Sequence, residues 1–281
     1  LGAGTLATAW QKSAMATVLD KASSLRRVSL GTLSALIDDE IDVHAHHRRL
    51  LSLPFGIVES DETWGGYAFQ WSDPVWSHFD DVCGKEHRDA AKRRAVDACR
   101  TTGEHTLELF TLVDLGELDA AEALAHDRLQ YFLLTVDDPL AHAALTVEWD
   151  SLSRCPSLLL LIGGHHSRAF GSHNDAKVYY TAALEAMEAA HPSTPFERLR
   201  LATRRAYAHS SLGQRDRALR SLEACQELLD GDSDNAVLRA SKRVPYVAEH
   251  IAAELHLQFW VATQLDLHSH ALRLARLMDS H

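Results

Sequence analysis

The chain has 281 residues, of which 46% are hydrophobic and 24% are charged, and its formal net charge is −11. These are the proportions of a soluble globular protein, and the surplus of acidic residues argues against a nucleic-acid-binding surface, because phosphate contacts require clustered Lys and Arg. No window of about 18 uncharged apolar residues occurs, so we expect no membrane-spanning helix, and the first residues lack the basic start and apolar run of a signal peptide.

The N-terminal third has the least regular pattern. Helical spacing predicts helices from Leu6 to Leu30 and from Thr32 to Leu53, separated at a glycine and followed by a proline. Residues 55–74 form the longest predicted non-helical stretch, and Lys85 to Thr101 is predicted to be a charged amphipathic helix. We therefore divide the chain into an N-terminal helical region with an aromatic-rich connection, 1–84, and a helical repeat domain, 85–281.

Along the chain, helical spacing is nearly continuous, and strand signals are almost absent. Caps, prolines and glycines mark where the helices begin and end. One example is Thr194, which begins a capping box with Pro195 in the first turn and Glu197 at the third position. The predicted helices are His105–Leu115, Leu118–Leu134, one from about Pro139 to Leu152, one beginning at Pro156, one ending before Gly213, Pro245–Gln264 and His268–Met278.

A recurrent pattern links the helix pairs. Glycines occupy three turns between helices, and Asp266 takes the equivalent place in the last pair; the glycines are Gly116, Gly171 and Gly213. An alanine stands five residues after each of these four positions: Ala121, Ala176, Ala218 and Ala271. Small residues at such positions let two helix axes approach closely.

This pattern resembles the tetratricopeptide repeat, a helix pair of about 34 residues with small residues where its helices cross. The best match surrounds Gly213, with Ala206 before it and Ala218 and Leu222 after it, and Gly163-Gly164 occupy the Leu-Gly position of another pair. The turns are 55, 42 and 53 residues apart, so extra helices or long connections separate the matching pairs. The resemblance implies an all-α fold of helical hairpins stacked in a right-handed superhelix.

In tetratricopeptide arrays the first helix of each pair lines a concave groove. Carried over position by position, the resemblance places eight residues in that groove: Phe110, Asp114, His165, Arg168, Tyr207, Ser211, His256 and Trp260. Interleaved aromatic and hydrogen-bonding side chains suit peptide recognition. The alternative is that some of these rings pack between neighbouring helices.

A second candidate feature is aromatic. Trp64, Tyr67 and Trp71 lie close together in the sequence, with Gly65-Gly66 between the first two. As a functional feature, these rings would form a lid over a ligand. The structural alternative, which we favour, is a plug that covers the open end of the repeat stack.

The third feature is the run Asp42-Val43-His44-Ala45-His46-His47. Alone, it resembles the His-x-His motif of metal-dependent amidohydrolases, in which the motif comes after a strand and later strands add ligands. The residues before it resemble a charged helix, on which His44 and His46 point to different sides and only His44 and His47 form a natural pair. A metal-dependent hydrolase using His44 and His46 is therefore the lesser alternative, and we expect no bound metal.

The remaining signals argue against catalysis. The cysteines match no metal or disulfide spacing, so we expect reduced thiols in a cytoplasmic protein, and no phosphate loop or nucleophile elbow is present. The cysteines are Cys83, Cys99, Cys155 and Cys225. The sequence thus predicts a non-enzymatic, cofactor-free binding module.

The expected partner is a protein, a peptide or a small signalling ligand, and a homodimer is also compatible with the sequence. Only six of the 28 basic residues are Lys, a bias typical of GC-rich genomes. Bacterial transcription regulators join such repeat arrays to a helix-turn-helix domain, and the resemblance implies that context. A scaffold subunit of a protein complex is the other non-enzymatic alternative.

Overall fold

The computed structural model describes residues 14–37, 42–60, 66–83, 85–135, 147–169, 173–230 and 245–279. These residues form fifteen helices and three short strands, so the chain is mostly α-helical, as predicted. The chain divides into two compact units, Leu1–Glu117 and Leu118–His281.

The first unit mixes helices with a small sheet. Its elements are α1 (Ala14–Ala22), β1 (Arg27–Val28), α2 (Leu30–Leu36), α3 (Val43–Leu51), β2 (Gly56–Ser60), β3 (Tyr67–Trp71), α4 (Asp73–Cys83), α5 (Lys85–Thr102) and α6 (His105–Asp114). The strands pair antiparallel in the order β1-β3-β2. Phe69 in the central strand lies opposite Val28 on one side and Val58 on the other.

This sheet corrects the helices predicted for the first third of the chain. The predicted helix from Leu6 to Leu30 is wrong at its end, because α1 stops at Ala22 and Arg27–Val28 pairs with β3. The second predicted helix begins two residues earlier and is divided into α2 and α3. Although strand signals are almost absent from the sequence, three short strands form. Local spacing missed β1 because its pairing with β3 joins residues more than forty positions apart, and a two-residue strand has no pattern of its own. The neighbouring strands β2 and β3 lie within the stretch predicted to be non-helical.

The core of the first unit lies against the inner face of the sheet. Phe69 is completely buried, and Trp71 is 2% exposed. The Trp71 ring contacts Phe69 and Phe79 edge-on, with centroid distances of 4.8 and 4.9 Å. Its indole N–H donates to the Ala22 carbonyl at 3.1 Å. These contacts make Trp71 a structural residue that joins β3 to the end of α1.

The second unit is helical in all of its described elements. These are α7 (Leu118–Asp127), α8 (Leu129–Thr135), α9 (Trp149–Leu152), α10 (Pro156–Ala169), α11 (His173–Glu188), α12 (Pro195–Ser211), α13 (Arg215–Asp230), α14 (Pro245–Gln264) and α15 (His268–Asp279). Three antiparallel hairpins stand out: α10 packs on α11, α12 on α13, and α14 on α15. The predicted helix from Leu118 to Leu134 is broken at Arg128, and most of the helix predicted from Pro139 lies outside the described residues.

The turns that carry the recurrent pattern share one backbone geometry. Gly116 and Gly213 have φ values of 74° and 71°, and Asp266, with φ of 57°, is the only non-glycine with positive φ in the described part of the chain. In each turn the next residue's N–H donates five residues back, as Gln214 does to His209 at 2.8 Å and Leu267 does to Ala262 at 2.9 Å. This is the Schellman ending of a helix, which requires the left-handed conformation. Gly171 lies outside the described residues.

The alanines of the pattern are buried where helices cross. Ala121 and Ala218 are fully buried, and Ala176 is 2% exposed. A Cβ at Gly163 would lie 3.1 Å from the Tyr180 ring, so α10 and α11 approach at a distance that only a small residue permits. The sequence pattern therefore identifies real helix contacts.

Two further predictions are answered by single observations. The Thr194 hydroxyl accepts the Glu197 N–H at 3.1 Å, which confirms the predicted cap at the start of α12. Among the described residues, no helix is sufficiently long and apolar to cross a membrane.

Candidate functional site

The predicted groove residues belong to different units, and the two in the first unit are inside it. Phe110 is 7% exposed, and its ring lies 6.2 Å from that of Trp76. The Asp114 carboxylate pairs with Lys92 at 2.6 Å. Both side chains therefore contribute to the packing of α6 within its own unit.

In the second unit, four helices meet around Tyr207. The Tyr207 ring contacts those of Trp260 and Tyr180, with centroid distances of 5.3 and 5.9 Å. A Cβ on Gly164 would lie 3.0 Å from the Tyr207 hydroxyl and 3.2 Å from the Leu133 side chain. Tyr207 belongs to α12, and the residues around it come from the four helices α8, α10, α11 and α14.

The Tyr207 phenol is a buried, neutral hydroxyl. Burial, together with the smaller effect of the neighbouring Tyr180, raises its pKa well above the ordinary value, while Arg168 and Ser211 act in the opposite direction. Its oxygen lies 3.4 Å from the Tyr180 hydroxyl. Arg168, Tyr207, Ser211 and Trp260, all predicted for the groove, are thus brought together.

The same surface continues onto α8. The Gln130 amide hydrogen-bonds the His256 ring of α14, and His256 stacks near Phe259 with a centroid distance of 6.4 Å. Tyr131 and Leu134 on α8 are 43% and 75% exposed, and Trp260 on α14 is 39% exposed. We call this surface the aromatic face; it comprises Gln130, Tyr131, Leu134, Arg168, Tyr207, Ser211, His256 and Trp260.

Sequence reasoning missed the α8 members of the aromatic face. It treats Leu118–Leu134 as a single second helix, which the repeat places away from the groove. The signal was present in α8 itself, whose seven residues, LQYFLLT, are apolar on more than one side and contain no charge. Such a short helix exposes part of its apolar surface when one side packs on a core.

His165 differs from the other predicted groove residues. It is 4% exposed, and its ring lies 6.5 Å from that of His166. The His166 ring in turn stacks on Tyr179 at 5.2 Å. His165 therefore belongs to the interior of the α10–α11 hairpin.

A buried ionic network lies on the other half of α12. Arg200 and Arg204 have side chains only 5% and 3% exposed, and both approach Glu254 of α14, at 3.7 and 3.8 Å. Arg200 also pairs with Asp127 of α7 at 3.2 Å. The network thus joins α7, α12 and α14 through the interior. We call these residues, together with His126 and Glu197, the charged network.

His126 completes this network as a neutral acceptor. Its ring contacts Glu197 at 3.3 Å, and its Nδ1 accepts from Arg204. Burial and then the two arginines lower its pKa from 6.5 to about 4. Burial raises the pKa of Glu254, and the arginines oppose that shift.

The charged network borders a cleft of about 270 Å³, whose walls include Pro156, Met187 and Leu201. The terminal nitrogens of Arg204 already contact His126, Ser157 and Glu254. The guanidinium is therefore held by the protein itself. We assign this network to structure.

The other two candidate features lie elsewhere in the chain. Trp64 lies outside the described residues, Tyr67 is 61% exposed on β3, and Trp71 belongs to the core of the first unit. His44 and His46 lie on α3, in a helix as predicted. In the described ranges no three His, Cys, Asp or Glu side chains come together as a metal site, whereas catalytic zinc needs three protein ligands.

Three cysteines whose side chains are described are free and buried: Cys99, Cys155 and Cys225. Burial raises the pKa of Cys155 to about 11 and that of Cys225 to about 12. Thiols with such pKa values are weak nucleophiles at neutral pH.

Comparison with protein families, with curated proteins and with solved structures finds no match to this chain. The case for function therefore depends on the geometry of the aromatic face.

Proposed function

We propose that this chain is a non-enzymatic binding module that holds a peptide segment of a partner protein on the aromatic face. The observation that carries the proposal is the convergence of four helices on Tyr207, with the partly exposed ring of Trp260 packed against it. A rigid aromatic side chain anchored from below buries a large area at small entropic cost, as the central residues of protein interfaces do.

The finer architecture is part of the same proposal. We infer that the hairpins of the second unit are tetratricopeptide-like repeats, with α10, α12 and α14 as the first helices that line the groove. The left-handed turns at Gly213 and Asp266 and the buried alanines that come after them support this assignment. In the regulatory context implied by the resemblance, peptide binding on these helices would change the activity of an attached domain in a cytoplasmic protein.

The test begins with selection of binders from a displayed library of random peptides against the whole chain. Affinity of a selected peptide is then measured by fluorescence anisotropy for the native chain and for Trp260→Ala. We expect the substitution to weaken binding at least about tenfold, the loss typical of a central aromatic residue in an interface.

Trp149→Ala is the matched control. Trp149 is 45% exposed in the same unit, and its ring contacts Tyr179 at 6.0 Å, much as Trp260 contacts Tyr207. The control should bind with native affinity. Equal affinity of the native chain and Trp260→Ala, or failure to select any peptide, would contradict the proposed function.

A further inference from the structure

We infer that the peptide segment recognised by the aromatic face is acidic, with carboxylates interspersed among aromatic or branched aliphatic side chains. This inference rests on the proposed function and adds the chemistry of the partner. It is carried by the distribution of charge over the helices that build the face.

These helix segments contain no carboxylate. Asp and Glu are absent from α8, from α10, from Thr203–Ser211 of α12 and from Leu255–Gln264 of α14. The chain as a whole has 39 acidic residues among 281, about one in seven. A chain with net charge −11 thus keeps acidic residues off one contiguous set of helix segments, while acidic residues are common elsewhere.

A cation beside this surface is available to a ligand. Arg168 on α10 is exposed. Within the part of the chain that the structure describes, it forms no ion pair, whereas Arg200, Arg93 and Arg273 all do. Arg168 lies near Tyr207, because a Cβ on Gly164 would be 3.8 Å from Arg168 Nη1 and 3.0 Å from the Tyr207 hydroxyl.

The neutral groups fit the same ligand. The face offers exposed apolar surface on Tyr131, Leu134 and Trp260, which requires apolar side chains in the partner. His256 and Arg168 supply hydrogen-bond donors for carboxylates between those side chains. Positive potential beside an apolar surface speeds association of an acidic partner and excludes basic ones.

The experiment reads the charge of the peptides selected on the native chain. In parallel, selections are carried out on Arg168→Glu and on Arg220→Glu, a control that places the same charge change at an exposed site on α13. We expect the native chain and the control to enrich Asp and Glu together with aromatic or aliphatic residues, and Arg168→Glu to lose the acidic enrichment.

Affinity measurements then quantify the contribution of Arg168 to peptide binding. For one acidic peptide, Arg168→Gln should weaken binding about fivefold at low salt and less at high salt, because screening removes the contribution of a rim charge. Arg220→Gln should leave the affinity and its salt dependence unchanged.

The outcomes separate the two proposals. Neutral or basic peptides that depend on Trp260 would overturn the acidic chemistry and leave the proposed function intact. Acidic peptides that bind Arg168→Gln and the native chain equally at every salt concentration would also overturn it. Peptides that bind without regard to Trp260 would overturn both.

Discussion

The two halves of α12 differ in whether their polar side chains are paired inside the fold or lie beside an exposed surface. In the N-terminal half, Arg200 and Arg204 are buried, and their guanidinium groups contact Glu254, Asp127 and His126 within the fold. In the C-terminal half, Tyr207 and Ser211 lie beside an exposed tryptophan on a surface without carboxylates. A charged or aromatic side chain therefore indicates a binding site only where contacts within the fold do not already satisfy it.

Removal of Arg204 should cause the largest loss in the free energy of unfolding. Arg204→Ala leaves Glu254 buried with Arg200 alone, and breaking a buried ionic network typically costs about 3–5 kcal/mol. Urea denaturation of the native chain and the variant measures the change in the free energy of unfolding. Arg198→Ala, an exposed position on the same helix, should change it by less than about 0.5 kcal/mol. Equal losses in the two variants would show that the network is not a structural unit.

Acidification should lower the free energy of unfolding through His126, which belongs to the charged network. Its pKa is about 4 in the fold against 6.5 ordinarily, so the folded state binds fewer protons than the unfolded chain between these values. Stability from this group is therefore complete above about pH 6.5 and is lost as the pH falls toward 4. The side chain is 34% exposed, and with solvent screening we expect a loss on the order of 1–2 kcal/mol.

His126→Gln isolates that contribution from the other titrating groups. His250 and His209 also have lowered pKa values and act in the same direction, whereas the raised pKa of Glu254 acts in the opposite one. The difference in unfolding free energy between the native chain and His126→Gln, measured from pH 7 to pH 4, should shrink with falling pH. A constant difference would exclude His126 as the titrating group.

The smallest stability effect should come from the aromatic face. Trp260→Ala should lower the free energy of unfolding by only about 1 kcal/mol, well below the cost of removing a fully buried aromatic side chain, because the ring is 39% exposed. The same variant is the one expected to lose peptide binding. A loss as large as that of Arg204→Ala would make Trp260 a core residue and remove the distinction between the two halves.

Much of the second unit was predictable because helix signals are local. Thr194 caps α12 through its own hydroxyl, and a left-handed residue ends a helix wherever Gly213 or Asp266 stands. The replacement of a glycine by Asp266 is inferred from spacing and is matched by its positive φ. The aromatic face was predictable in part, since Tyr207, Ser211 and Trp260 lie at helical spacing on their own helices.

The errors have a common physical cause. The pairing of β1 with β3 depends on residues distant in sequence, so a local pattern continues the first helix through Arg27–Val28. His165 has the same spacing as the groove residues, but the packing of α11 on α10 encloses it. The repeat pattern places the α8 residues on the opposite surface, because it does not include the break at Arg128.

The sequence by itself determined where most helices begin and end, where they cross closely, and that acidic residues avoid certain segments. These properties depend on caps, backbone conformations and side-chain volumes within a few residues of each other. Only the tertiary structure decided which polar side chains are paired inside the fold and which remain available at its surface. That outcome depends on contacts between α7, α8, α10, α12 and α14. These contacts bring together residues more than a hundred positions apart, such as Gln130 and His256.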